Sequence, residues 1–101
     1  MNINNFKYSI VVPVFEIKEN FEKFVKLSEG LLANQDKIEM IFVDDGNDYD
    51  LKNIINTGLH NFKLIQNKKN QGYGASIKRA VIEANSNIIG IIDCDNSYDL
   101  N

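Results

Sequence analysis

Apolar and polar residues alternate along the chain in two ways, one typical of strands and the other of helices. Four short runs of mainly apolar residues are typical of buried strands and lie at 8–12, 37–43, 62–66 and 88–92. Three intervening segments repeat apolar residues every three or four positions, as helices do, and lie at 20–32, 50–56 and 74–85. This alternation predicts an α/β fold with a Rossmann-like, mostly parallel sheet of about four strands and helices on both faces.

The pattern also predicts which side chains of these elements are buried. In the helix at 20–32, the apolar face consists of Phe21, Phe24, Val25, Ser28, Leu31 and Leu32. Pro13 is expected to end the first strand, because proline lacks a backbone N–H donor. The run at 88–92 is apolar at consecutive positions, which predicts a strand buried on both faces.

Composition restricts the class of protein. The chain has 101 residues, enough for one domain, of which 44% are hydrophobic and 25% charged. Its net charge of -3 argues against a nucleic-acid-binding protein, which usually has a basic face. The single cysteine, Cys94, excludes an internal disulfide. No apolar run is long enough to cross a bilayer and no signal peptide is recognisable, so we expect a soluble, cytoplasmic chain with any membrane anchor outside it.

Carboxylates directly follow two of the predicted strands. Asp93 and Asp95 come one residue apart after the last strand, so strand alternation points both to the same side. Two such carboxylates suit a divalent cation shared with substrate phosphates, and a solvated turn is the alternative. Asp44 and Asp45 follow the second strand, where they form a turn and are also expected to accept hydrogen bonds from a base or a ribose.

A glycine-containing loop precedes the third predicted helix. Gly72 and Gly74 allow a ligand to approach the backbone, and a helix N-terminus favours anions. The third glycine of a dinucleotide fingerprint and the lysine of a P-loop are both missing, so a plain loop into the helix is the default interpretation. Lys78 and Arg79 lie one turn into this helix, where they either reach a diphosphate or form a solvated face.

Four blocks taken together resemble the N-terminal half of family 2 inverting glycosyltransferases of the GT-A fold. These blocks are SIVVPVF at 9–15, IFVDDG at 41–46, NQGYGASIK at 70–78 and IIDCD at 91–95. Their order and spacing agree with the family over nearly the whole chain. The third and fourth blocks look most like the branch that makes polyprenyl-phosphate sugars, the dolichyl-phosphate mannose synthase-like enzymes.

The resemblance implies a role for each block. Three residues would line the nucleotide pocket: Pro13, Phe15 and Glu19. Asp44 or Asp45 would bind the base. The stretch containing Asn70, Gly72 and Lys78 would lie near the base and the phosphates. Asp93 and Asp95 match the D-x-D motif, whose second carboxylate binds Mg²⁺ or Mn²⁺ on the diphosphate of a UDP- or GDP-sugar.

The chain also departs from the family pattern. Glu16 and Ile17 stand where Asn-Glu is usual, and residues 47–49 replace Ser-Thr-Asp. The acceptor half and its catalytic base would follow Asn101, so residues 1–101 are expected to be a nucleotide-sugar-binding part truncated after the D-x-D motif. No catalytic residue is assigned in this chain, and we expect no turnover by it alone. In a full-length protein, the site would lie at the cytoplasmic face of a membrane, and the acceptor is left open.

Three other classes of protein are alternatives to this resemblance. A receiver domain would carry its aspartate pair after the first strand, whereas here the pair follows the second strand. A sugar-nucleotide pyrophosphorylase would open with a Gly-rich loop and an arginine, and residues 13–16 offer neither. The non-enzyme alternative is an α/β module for protein contacts or nucleotide binding, which the altered first loop favours. A half-domain would also expose apolar surface, so we expect self-association or marginal stability.

Overall fold

The computed structural model of the protein describes residues 6–14, 18–55, 61–67 and 72–92, and of Tyr73 only the backbone. Strands and helices alternate through these ranges as predicted. In chain order they are β1 (Tyr8–Val14), α1 (Lys18–Leu32), β2 (Ile38–Asp44), α2 (Leu51–Ile54), β3 (Phe62–Gln66), α3 (Tyr73–Glu83) and β4 (Ile88–Ile91). No helix within the described ranges is long and apolar enough to cross a bilayer.

The four described strands form one parallel sheet in the order β3-β2-β1-β4. The chain places β2 and then β3 on one side of β1, and afterwards crosses back to place β4 on the other side. The direction of strand addition therefore changes between β1 and β4. In open α/β sheets, ligands bind outside the carboxyl ends of the strands at such a switch point.

Hydrophobic clusters on both faces hold the helices against the sheet. One cluster joins α1 and α2 to the sheet through Phe21, Val25 and Leu51, which pack with Val12 and Phe42. The other cluster lies on the opposite face and consists of Val11, Ile41, Val43, Ile65 and, from α3, Ala80. The predicted α/β, Rossmann-like architecture with helices on both faces is confirmed, and it is consistent with the N-terminal half of a GT-A fold.

The buried face of α1 is narrower than its sequence pattern predicts. Phe21, Val25, Ser28 and Leu32 are buried, and the ring of Phe21 meets Phe42 edge-on with centroids 5.6 Å apart. Leu31 is 66% exposed, so its predicted burial is wrong. At about 100° per residue, Leu31 lies about 90° from the mean direction of the four buried side chains, which explains its exposure.

Strand β1 continues through Pro13, so the prediction that this residue ends the strand is wrong. Backbone groups of a strand alternate between its two neighbours, and the Val11 carbonyl accepts the Ile92 N–H at 3.0 Å on the β4 side. Pro13 lies two residues further and faces the same side. The described pairing of β1 with β4 stops at Val11 and Ile91, so the missing N–H of Pro13 interrupts no described ladder.

The prediction that strand β4 is buried on both faces is also wrong. Ile88 and Ile91 are 53% and 49% exposed. Among the described strands β4 lies at an edge of the sheet, beside β1 alone. A continuous apolar run has the same sequence signature in a central strand and in an uncovered edge strand, so the pattern does not separate the two.

Candidate functional site

The carboxyl ends of β1, β2 and β3 lie side by side at one edge of the sheet. Val14 pairs with Asp44, and Asp44 pairs with Gln66, so these three strands end at the same level. The helix α3 begins at this edge, with Gly72 as its N-cap. The fold therefore brings Asp44, Asp45 and Gly72, which the sequence predicts as site residues, close together.

Asp44 closes the loop that follows β2 and leaves one carboxylate oxygen available. Its Oδ1 accepts the backbone N–H of Asn47 at 3.0 Å and the side-chain Nδ2 of Asn47 at 2.8 Å. Asn47 Nδ2 also donates to the Val14 carbonyl at 2.9 Å, which ties the ends of β1 and β2 together. No hydrogen bond from the described residues reaches Oδ2, and none of their buried side-chain polar atoms lacks a partner. Asp44 Oδ2 is thus an acceptor that reaches solvent, although only 7% of the Asp44 surface is exposed.

Asp45 uses both of its oxygens to hold the polypeptide around it. Its Oδ1 accepts Asn67 Nδ2 at 3.0 Å, and its Oδ2 accepts the Gly72 N–H at 3.0 Å. The side chain is 97% buried, since only 3% of its surface is exposed. A carboxylate that accepts the N–H of a helix N-cap residue stabilises that helix end. Asp45 therefore fixes the start of α3 against the end of β3.

Asn67 is central to this edge, and sequence reasoning did not single it out. Its Nδ2 also donates to Ser76 Oγ at 3.1 Å, and its Oδ1 accepts from Arg79 at 2.6 Å. Arg79 donates in addition to the Gln66 carbonyl at 3.1 Å. This guanidinium, which the sequence offers as a diphosphate ligand or a solvated cation, thus binds the end of β3. The only sequence signal for Asn67 is its position directly after a strand.

The remaining predicted site residues fall into two groups. Pro13 is buried in β1, whereas Glu19 and Lys78 are exposed on α1 and α3. Lys78 has no hydrogen bond or ion pair within the described residues, so of the two helix cations it is the one left available. Outside the described residues lie Phe15, Asn70, Asp93 and Asp95. Their roles stay predictions.

The described ranges contain no group of three or more histidine, cysteine, aspartate or glutamate side chains that could hold a metal ion. The predicted metal ligands, Asp93 and Asp95, fall outside those ranges. The described part of this edge therefore contributes one available hydrogen-bond acceptor, Asp44 Oδ2, and Lys78 is an exposed cation one turn into α3.

The amino-acid sequence is similar to a known protein family. The family model of glycosyl transferase family 2 matches residues 9–101. No curated protein matches the chain. Because the family match runs from the first strand of the sheet to the last residue of the sequence, the chain belongs to glycosyl transferase family 2.

Proposed function

We propose that residues 1–101 form the nucleotide-sugar-binding part of an inverting, metal-assisted glycosyltransferase. The observation that carries this proposal is the accessible Oδ2 of Asp44 at the carboxyl edge of the sheet, where Oδ1 is already held by Asn47. A base presents N–H donors, and a fixed carboxylate oxygen is a suitable acceptor for one of them. Family membership supports a nucleotide-diphosphate sugar as the ligand.

Of the two adjacent aspartates, we assign base binding to Asp44. Both oxygens of Asp45 already accept hydrogen bonds, from Asn67 and Gly72, and only 3% of its surface is exposed, so little of this carboxylate is open to a base. Asp44 offers Oδ2, which accepts no hydrogen bond from the described residues. We infer that Asp45 shapes the site and Asp44 contacts the nucleotide.

The diphosphate is assigned to the region between the carboxyl end of β4 and the N-terminal end of α3. Asp93 and Asp95 follow β4, whose parallel pairing with β1 directs its carboxyl end to the same edge as Asp44. Two carboxylates are oxygen donors of the kind that Mg²⁺ and Mn²⁺ prefer, so the donor set fits such an ion. When bound, that ion would offset charge on the departing nucleoside diphosphate. Gly72, at φ 88°, presents no side chain to block the phosphates, and the role of Lys78 as their cation rests on the family resemblance.

The reaction proposed for the whole enzyme is a displacement at the anomeric carbon. The bond from that carbon to the diphosphate oxygen breaks as a bond to the acceptor oxygen forms, with inversion. We place the acceptor in the class of polyprenyl phosphates, on the likeness of the third and fourth sequence blocks to that branch. A phosphate is already ionised at neutral pH because its second pKa is about 6, so such an acceptor needs no catalytic base. An enzyme acting on this acceptor would work at the cytoplasmic face of a membrane.

Calorimetric titration with UDP and GDP, each with and without Mn²⁺, tests the proposal. We expect Mn²⁺-dependent binding of one nucleotide, and loss of the Mn²⁺-dependent part in Asp95→Ala. Asp44→Asn keeps an oxygen for Asn47 and can place an NH₂ group where Oδ2 was, so binding should weaken about tenfold or more. Asp48→Asn is the matched control, because Asp48 is an exposed carboxylate of the same loop. Its affinity should equal that of the unmodified protein.

A folded protein that binds neither nucleotide would contradict the proposal and leave the non-catalytic interaction module as the better interpretation. Equal weakening by Asp44→Asn and Asp48→Asn would retain a nucleotide site but remove Asp44 from it. Binding that is independent of Mn²⁺ and unaffected by Asp95→Ala would remove the metal from the proposal.

A further inference from the structure

A cavity lies at the opposite end of the strands from the proposed nucleotide site. Its volume is about 430 Å³, and it opens among residues that precede β1 and β2 and the turn that leads into β4. Small-molecule sites commonly have volumes of about 300–1,000 Å³. The seven residues of β1 separate the two ends by roughly 20 Å, so the cavity is distinct from the first site.

The charge of this cavity is positive. Among the described residues that line it, Lys7 and Lys37 carry charge, and both are exposed. The Lys7 N–H donates to the Lys37 carbonyl at 2.7 Å, so the two residues are immediate neighbours on adjacent chain segments. Like charges placed opposite each other on neighbouring strands are unfavourable. An anion bound between these ammonium groups would convert that repulsion into attraction.

The nearest buried acid, Glu39, does not cancel this charge. Only 1% of its surface is exposed, and its carboxylate accepts Asn85 N–H at 2.6 Å, Asn85 Nδ2 at 3.2 Å and Ser9 Oγ at 2.5 Å. Lys63 lies 3.8 Å from the same carboxylate and supplies its counter-charge. Glu39 therefore anchors the turn at residues 85–87 that forms one wall of the cavity, and its charge is already balanced.

The remaining walls have mixed chemistry. Phe6 and Ile88 provide an apolar surface, and Ile88 is half exposed toward solvent. Ser86 and the exposed Asn87 add a hydroxyl and an amide group beside the lysines. A ligand that matches these walls carries an anionic group at one end and an apolar body at the other.

We propose that this cavity binds a small phosphate monoester with an apolar substituent. The phosphate would lie between Lys7 and Lys37, which together match its charge of nearly two, and the substituent would contact Ile88. A soluble organic phosphate and the phosphate headgroup of a lipid share this chemistry. The inference does not depend on the proposed nucleotide site, because no residue is common to both.

Nuclear magnetic resonance titration of the ¹⁵N-labelled protein with phenyl phosphate tests the proposal. We expect saturable shifts of the amide signals of residues 85–88, and weaker binding of inorganic phosphate, which lacks the apolar group. The double variant Lys7→Gln/Lys37→Gln should bind phenyl phosphate roughly a hundredfold more weakly, at about tenfold for each lost charge-assisted bond. The matched control is Lys23→Gln/Lys26→Gln on the exposed face of α1, which should leave the affinity unchanged.

Two further arms separate the sources of the phosphate and the two sites. Cosedimentation with phosphatidylcholine vesicles containing phosphatidic acid, lost in the Lys7/Lys37 double variant, would assign the ligand to lipids. Phenyl phosphate binding without vesicle binding would assign it to soluble phosphates. UDP and GDP affinity should be the same in the double variant as in the unmodified protein. Absence of saturable shifts at residues 85–88, or equal affinity in the double variant and its control, would overturn the proposal.

Discussion

At the scale of single residues, two neighbouring aspartates have different roles at the same edge of the sheet. Asp44 bonds to the loop before α2, whereas Asp45 bonds to the end of β3 and the start of α3. Because their partners lie on different segments, both oxygens of Asp45 hold the polypeptide, whereas Asp44 keeps an accessible oxygen. This difference separates the stability of the site from its ligand binding.

Substitution of Asp45 should therefore lower stability more than the same substitution of Asp44. In Asp45→Asn one of the two accepting oxygens becomes an NH₂ group, which cannot accept a hydrogen bond. Whichever way the amide is oriented, the bond from Asn67 Nδ2 or the bond from the Gly72 N–H is therefore lost. We expect a loss of about 1–3 kcal/mol in the free energy of unfolding. Asp44→Asn keeps the bonded oxygen and should change the free energy by less than about 0.5 kcal/mol. Urea denaturation followed by circular dichroism measures both, and equal losses would contradict the assigned roles.

Sequence alternation located this edge, but it did not reveal its hydrogen bonds. Asp44, Asp45 and Gly72 are predictable site residues because they follow a strand or precede a helix, and the strands are parallel. The bonds of Asn67 require β2, β3 and α3 to meet, which no local spacing encodes. Side-chain partners from three separate segments are decided by tertiary packing, so the sequence leaves them open.

At the scale of elements, a buried charge on β2 joins α3 to β4. Glu39 accepts three hydrogen bonds from Ser9 and Asn85, and Ser9 Oγ is also hydrogen-bonded to Ser86 Oγ. Lys63 Nζ connects the same carboxylate to the Glu83 carbonyl at the end of α3, at 3.2 Å. The turn from α3 to β4 is thereby fixed to the middle of the sheet.

Removing this charge should loosen the turn and lower stability. Glu39→Gln replaces one accepting oxygen by an NH₂ group inside a buried network, and we expect a loss of about 1–3 kcal/mol in the free energy of unfolding. Hydrogen exchange of the Asn85 amide should quicken as well, because that N–H donates to Glu39. Glu22→Gln, at an exposed site on α1, is the control and should change neither measurement. An unchanged Asn85 exchange rate in Glu39→Gln would argue against the anchoring role.

The elements themselves were predictable to different degrees. Strand β3 has its predicted bounds, because its apolar run is short and ends in polar residues. The predicted burial of Leu31 and of strand β4 is wrong for a common reason. Both are apolar, but no described residue covers them. The prediction that Pro13 ends β1 is wrong because a proline interrupts a strand only where its backbone faces a hydrogen-bonded neighbouring strand. Which strand it faces is set by the order of strands in the sheet. Periodicity thus predicts an element better than it predicts its burial.

At the scale of the whole molecule, the two outer strands of the described sheet, β3 and β4, form different lateral edges. The described edge at β3 carries Lys63 and Gln66, and charged side chains of this kind hinder edge-to-edge pairing of sheets. The edge at β4 has the sequence IIGI and carries no charge. Because unprotected apolar edge strands are templates for pairing with another chain, a second copy of this protein is the partner that we expect at β4.

This edge should produce concentration-dependent self-association. Ile91 is 49% exposed on β4, so Ile91→Lys adds a charge to the edge that two copies would share and should shift the protein toward monomer. Leu31→Lys is the matched control, because Leu31 is 66% exposed on α1 and receives the same change in charge and polarity. Sedimentation velocity over a range of concentrations distinguishes these cases. If the unmodified protein is monomeric throughout, or if both variants reduce association equally, pairing through β4 is not the cause. If only Ile91→Lys reduces association, the copies associate through the exposed apolar surface of β4, a strand for which the sequence pattern alone predicts burial.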